Sequence, residues 1–213
     1  MGVDFRVYLI TDRKVSTKPL PEAVRLALEG GVMAVQLREK DLPVRELLAL
    51  AKELRSITKE FGVKLFINDR VDVAVAVHAD GVHLGGQSMP PLAVRQVVGD
   101  DMLIGVSTHS REEAWSAETE GADFITFGPI YATPSKDRYG KPVGLNALKS
   151  TIEYITIPIY ALGGIKSGNI YEIIQHGVYG IAMISGILSA FDIRKAAEET
   201  TRMIQRTLAG ERP

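Results

Sequence analysis

Five stretches of this chain put side chains or backbone capable of chemistry at the end of a short apolar run. The first is Gln36-Leu37-Arg38-Glu39-Lys40. Alternation along an extended strand places Gln36, Arg38 and Lys40 on one side. Two cations at one strand end suit a phosphate or diphosphate, Arg38 by its planar fork and Lys40 as a point charge; they would also serve as plain solubilising charge. The second is Asn68-Asp69-Arg70. Its carboxylate could hold Mg2+ beside a phosphate, or Asn68 or Asp69 could cap a helix starting near Val71. The third, Ser107-Thr108-His109-Ser110, carries the best candidate for general acid–base work, since histidine titrates near neutrality. His78 and His176 read as helix-end residues and His83 as core or barrel interior.

The fourth stretch is the long connection from Gly128 to Pro142. Long loops on a catalytic face often act as lids, and Thr133, Ser135 and Lys136 could close over an anion; the alternative is a solvated loop. The fifth pairs Gly163-Gly164 with Ser185-Gly186, after two further apolar runs. Backbone amides there could bind phosphate, glycine permitting close approach; the alternative is that these are turn glycines alone. Asn169 is placed to cap the next helix or touch a ligand.

Eight apolar runs position these groups: RVYLI from Arg6, VMAVQL from Val32, KLFIN from Lys64, GVHL from Gly81, LIGVS from Leu103, FITFG from Phe124, IPIYAL from Ile157 and GIAMIS from Gly180. They lack clean alternation, as parallel strands buried on both faces do. Between them lie helical patterns. In 44–61, Leu47, Leu48, Ala51, Leu54, Ile57 and Phe61 recur at three- and four-residue steps, with Pro43 to open the helix and Gly62 to close it. Ser110 reads as the N-cap of a helix from Arg111. Small-residue joints precede four strands: Gly30-Gly31, Ala79-Asp80-Gly81, Gly121-Ala122-Asp123 and Gly177. The pattern predicts an α/β fold, a single-domain (β/α)8 TIM barrel over 1–213 with 209–213 a frayed tail. In such barrels the chemistry sits at the C-terminal ends of the strands, with phosphate often held after strands seven and eight.

A chain of 213 residues is long enough to bury a barrel core. The net charge of -1 gives no bulk case for nucleic acid or an anionic membrane. Without cysteine there are no disulfides, thiolate metal sites or cysteine nucleophiles. The N-terminal run is too short and too charged for a signal or a membrane span, so a cytoplasmic location is expected. The residues alone predict a small barrel enzyme acting on a phosphorylated small molecule.

Taken in order, QLREK, INDRVDVA, DGVHLG, IGVSTH, FGPIYATPSK, ALGGI and GIAMISGI resemble the thiamin phosphate synthase/TenI family over about 7–188. The resemblance implies a thiazole phosphate substrate and one of two chemistries. The synthase joins a pyrimidine diphosphate to the thiazole phosphate, releasing pyrophosphate with Mg2+; the TenI-type tautomerase aromatises a carboxythiazole phosphate with no cofactor. The resemblance assigns Gln36, Arg38 and Lys40 to the pyrimidine diphosphate, Asn68 with Asp69 to the third-strand pair, Ser107 to the substrate site, and Thr133, Ser135 and Lys136 to the phosphate loop. It assigns Gly164, Ser185 and Gly186 to the thiazole phosphate, Asp69 to Mg2+ and His109 to the tautomerase's proton transfer. Where synthases carry a second metal carboxylate this chain has Ser88, which places the TenI-type tautomerase first and the synthase as the alternative. A non-catalytic phosphate-ligand sensor is third. The expected partner is a small phosphorylated thiazole, with or without the pyrimidine diphosphate; no nucleic acid or membrane partner is expected, and the chain could pair as a homodimer.

Overall fold

The computed structural model describes residues 2–133 and 141–211. Eight parallel strands close into one barrel in chain order: β1 (Val7–Ile10), β2 (Ala34–Leu37), β3 (Lys64–Asn68), β4 (Gly81–Leu84), β5 (Leu103–Thr108), β6 (Phe124–Phe127), β7 (Ile159–Leu162) and β8 (Gly180–Met183). The helices around it are α1 (Leu20–Glu29), α2 (Val44–Phe61), α3 (Val71–Ala76), α4 (Pro91–Val98), α5 (Arg111–Thr119), α6 (Gly144–Ile152), α7 (Ser167–Gln175), α8 (Ser185–Leu188) and α9 (Ile193–Leu208). The (β/α)8 expectation is met, with several strands one or two residues shorter than their apolar runs. Ser110 accepts from the Glu113 amide and caps α5, and Gly62 ends α2 in the left-handed conformation. Asp192 caps α9, which packs on α1 and α7 and completes the helical ring. The tail past Leu208 is held as far as Glu211, which pairs with Arg206.

Two apolar layers result. Between strands and helices lie Val35, Leu37, Leu54, Leu65, Ile67, Ile104, Ile125 and their neighbours. Inside the barrel lie Phe5, Tyr8, Phe66, Phe124 and Tyr160, their rings mostly edge-to-face at 5.3–5.7 Å, the arrangement aromatic quadrupoles favour.

The register explains how so narrow a barrel accepts these rings. Phe66 pairs with Gly81, Phe124 with Gly105 and Tyr160 with Gly180. A Cβ on Gly81 would stand 2.4 Å from the Phe66 ring, one on Gly105 2.3 Å from Phe124, and one on Gly180 2.7 Å from Tyr160. Each ring therefore occupies the volume of the side chain missing from an adjacent strand.

The Asp-containing joints fasten the opposite, N-terminal face. Asp80 accepts from the Leu65 amide (2.8 Å) and pairs with Arg55 of α2 (2.5 Å). Two strands on, Asp123 accepts from the Ile104 amide (2.7 Å) and pairs with Arg95 of α4 (2.6 Å). One carboxylate thus ties a helix to two strands, satisfying a strand-initial N–H that would otherwise be orphaned.

Gly105→Ala is expected to destabilise the barrel by about 1–3 kcal/mol through overpacking, read as a lower urea midpoint. Gly86→Ala, with open space around it, is expected to stay within about 0.5 kcal/mol of the parent.

Candidate active site

The strands' C-terminal ends form a mouth with two lobes over a polar floor. The first lobe is a cavity of about 220 Å³ at the ends of β2 and β3, lined by Glu39, Lys40, Asn68, Asp69 and Arg70 among others. Asp69 is its centre. The residue sits at φ 58°, a left-handed conformation that Asp tolerates better than most residues. Asn68 Nδ2 donates to its Oδ2 (2.7 Å), Ser88 Oγ donates to its Oδ1, and Lys40 Nζ stands 3.6 Å away. Burial pushes the Asp69 carboxyl up, but the Ser88 hydrogen bond, the Lys40 charge and the Asn68 hydrogen bond outweigh it and hold its pKa below the usual value. Asp69 is therefore a carboxylate throughout the neutral range.

The capping reading of Asn68 and Asp69 does not hold. Arg70 occupies the N-cap of α3, with no side-chain cap bond. The tight turn bends both side chains toward each other and Ser88 instead of along the helix axis. Pro43 opens α2 as expected, standing at its N-cap.

Glu39 escaped the sequence reading. Alternation turns it away from Arg38 and Lys40, yet it is buried and accepts from the Arg13 amide (3.0 Å) and from Arg13 Nη1 (2.9 Å). It pins the β1–α1 loop beside the cationic strand end, and Thr11 of that loop accepts from the Arg38 amide (2.8 Å). A charged residue inside an otherwise solvent-facing pattern carries no signal for this.

The second lobe is a cavity of about 260 Å³ between the ends of β7 and β8, lined by Thr133, Gly163, Gly164, Lys166, Ser185 and Gly186 among others. Gly164, at φ +65°, has no room for a side chain, because a Cβ would stand 2.7 Å from Tyr131 Cβ. Asn169 both caps and braces, as its Oδ1 accepts from the Lys166 amide (2.8 Å) and its Nδ2 donates to the Gly164 carbonyl (3.1 Å). The first turn of α8 offers N–H groups with no intrahelical acceptor. The structure thus brings Thr133, Gly164, Ser185 and Gly186 together; Ser135 and Lys136 lie outside the described residues.

Between the lobes the floor is polar. Gln36 Nε2 lies 3.1 Å from the Tyr8 hydroxyl, Tyr8 3.3 Å from His83 Nδ1, and His83 Nε2 3.0 Å from Ser107 Oγ. Burial drives the His83 pKa down to about 3, Asp69 opposing the shift and Arg38 and Lys40 adding to it. Both cations at the end of β2 therefore act on the barrel interior. His83 was expected in the interior, but its bonds to Tyr8 and Ser107 were not visible from one strand's sequence.

His109 lines neither lobe. Its Nδ1 donates to the Gly128 carbonyl, tying the end of β5 to that of β6, and in the neutral ring this leaves Nε2 as the lone-pair nitrogen. Of the other two histidines, His176 caps α7 and His78 follows α3, as expected.

The family model for thiamine monophosphate synthase (TMP-TENI) matches residues 7–187. The chain belongs to the thiamine monophosphate synthase family. It is 54% identical over 196 residues to a putative thiamine-phosphate synthase of Geobacter sulfurreducens, covering 92% of each chain. It is 43% identical over 203 residues to the thiamine-phosphate synthase of Pyrococcus furiosus, covering 95% of this chain and 96% of that one. The solved thiamine phosphate pyrophosphorylase from Pyrococcus furiosus superimposes with a TM-score of 0.88 at 42% identity, over 96% of this chain and 97% of that one. A 3-hexulose-6-phosphate synthase, at 19% identity and TM-score 0.67, shares the fold alone. The family expectation is met, but preference for its TenI-type branch finds no support among these relatives, which carry the synthase name. Among the described residues, no helix is long and apolar enough to cross a membrane.

The buried, neutral His83 makes stability depend on pH. Its folded pKa lies below that of the unfolded chain, near 6.5, so the unfolded state takes up the proton first as pH falls. This contribution is intact above about pH 6.5 and drains away toward pH 3. Between pH 7 and pH 5 the parent is expected to lose about 2 kcal/mol more unfolding free energy than His83→Gln, measured by urea titration at both pH values.

Proposed function

We propose that this chain is a thiamine-phosphate synthase, joining an aminopyrimidine methyl diphosphate to a thiazole phosphate with release of pyrophosphate. The observation that carries this reading is the presence of two separate polar sites on one rim: Lys40, Asn68 and Asp69 around β2 and β3, with Arg38 at the same strand end, and the glycine-lined cavity between β7 and β8. A tautomerase, whose carboxythiazole phosphate carries one phosphate, brings no diphosphate for the cations at the end of β2. The names of the relatives point the same way.

In this reading Arg38 and Lys40 hold the diphosphate, joined by Ser135 and Lys136 of the β6–α6 connection. Gly164, Ser185 and Gly186 hold the thiazole phosphate, with Thr133 at its edge, and Gln36 and Ser107 face the pyrimidine. The lone pair of the thiazole nitrogen forms a C–N bond to the pyrimidine's methylene carbon. The C–O bond to the diphosphate breaks, and its electron pair leaves with pyrophosphate. The attacking nitrogen brings no proton, so the step asks no base of His109, whose bond to Gly128 then serves to hold the rim.

The donor set at β3 fits Mg2+. One ionised carboxylate, Asp69, and the Asn68 amide oxygen would hold it, with phosphate oxygens filling further positions, the common arrangement for this ion. Ser88 supplies a neutral hydroxyl, already engaged with Asp69 and the Gly85 amide. When bound, Mg2+ would offset the charge gathering on the leaving diphosphate.

The test is a paired assay on the purified protein. Mg2+-dependent pyrophosphate release from the two phosphorylated substrates is expected; metal-independent aromatisation of the carboxythiazole phosphate without pyrophosphate would instead make it a tautomerase, and binding without either turnover a sensor. Asp69→Asn is expected to lower kcat/KM about a hundredfold or more. Ser88→Asp, by adding a carboxylate, is expected to lower the Mg2+ concentration needed for half-maximal rate.

A further inference from the structure

At the top of the aromatic layer the Tyr8 hydroxyl meets polar side chains of four further strands inside the barrel, Gln36 of β2, His83 of β4, Ser107 of β5 and Thr126 of β6, making five in all. All but Ser107 are fully buried. Such groups gain little net stability from one another and are costly when left unpaired, so a barrel built for stability alone would fill this level with aliphatic side chains. Tyr8 joins the two halves of the network, its hydroxyl lying 3.1 Å from Gln36 Nε2 and 3.3 Å from His83 Nδ1.

The protons in this chain can be counted. The His83 ring is fully buried, with the Tyr8 and Ser107 hydroxyls at its two nitrogens, a setting that holds the neutral imidazole with one N–H. The Tyr8 hydroxyl stays protonated, because burial raises it well above the ordinary value. Gln36 Nε2 donates to the Tyr8 oxygen, which frees the Tyr8 O–H to donate to His83 Nδ1. The single imidazole proton then sits on Nε2 and points at Ser107 Oγ, 3.0 Å away. Thr126 Oγ1 lies 3.4 Å from the same oxygen as a second donor. Ser107 is left with its own O–H to give, and Gln36 with a carbonyl oxygen that accepts from no described residue. Reversing the chain would reverse both offers.

We propose that Tyr8 is a positioning residue that sets the hydrogen-bond polarity of the site floor, fixing Gln36 as an acceptor and, through His83, Ser107 as a donor. The floor then suits a heteroaromatic ring carrying an amino group and a ring nitrogen, and disfavours one with these reversed, such as a ring bearing a carbonyl and an N–H. Tyr8 touches no substrate. The ligand's identity rests on the synthase reading; the polarity of the chain does not.

The test combines nitrogen-15 spectra of labelled histidine with kinetics. The His83 signal, assigned by its loss in His83→Gln, is expected to report proton on Nε2 in the parent and a mixture of tautomers in Tyr8→Phe. That variant keeps the ring and deletes the hydroxyl. Its KM for the pyrimidine diphosphate is expected to rise about tenfold, the worth of one well-placed hydrogen bond, with the KM for the thiazole phosphate within twofold of the parent. Tyr160→Phe is the control: it removes another buried hydroxyl, bonded to the Phe5 carbonyl, from the same aromatic layer, and is expected to move neither readout. A proton on Nδ1 in the parent would overturn the proposal, as would equal changes in both KM values or identical behaviour of the two variants. Absence of pyrophosphate release by the parent would sink the synthase reading, while the tautomer measurement would still decide the role of Tyr8.

Discussion

The barrel depends on a steric exchange between aromatic rings and glycines. Eight strands enclose space for few side chains per level, and here Phe66, Phe124 and Tyr160 each take the volume released by Gly81, Gly105 or Gly180 on the adjacent strand. The exchange also fixes register. A slip of one residue would drive a ring into a Cβ and turn the interior set outward. Gly105 does this twice, since its missing side chain would also stand 2.6 Å from His83 Nδ1. The same absence that admits Phe124 leaves His83 room to reach Tyr8. Packing below and polarity above are thus settled at one backbone position.

Above that level the two lobes differ in how they are built. The β2–β3 lobe is made of side chains held by other side chains: Glu39 fixes Arg13, while Ser88, Asn68 and Lys40 converge on Asp69. The β7–β8 lobe is made of backbone, with Gly164 against Tyr131 and Asn169 bracing the turn. The first can change its charge by single substitutions, at Ser88 for instance. The second is bound to its shape.

Much of this was legible in the sequence, because it is local. The eight runs, the span of α2, the Ser110 cap and the strand-end position of the polar residues all follow from periodicity and turn chemistry. What escaped spans the barrel. The Tyr8–Gln36–His83–Ser107 chain joins residues 24 to 75 positions apart, and Glu39 reaches back 26 positions to Arg13. Strand periodicity says that such residues point inward or outward, not what meets them. The branch preference, which finds no support among the relatives, rests on a similar gap: the sequence shows Ser88 as the absence of a carboxylate, whereas in the folded chain it donates to the carboxylate of Asp69.

The Asp80–Arg55 and Asp123–Arg95 ties lie at the N-terminal ends of the strands, a full strand length from the mouth. Among the described residues they share no partner with either lobe. Substitutions on the two faces should therefore combine additively in their effect on folding. The rim can accumulate changes while the far face keeps the chain above its stability threshold. In evolutionary terms the barrel separates the risk of unfolding from the opportunity for new chemistry, one at each end of the same eight strands.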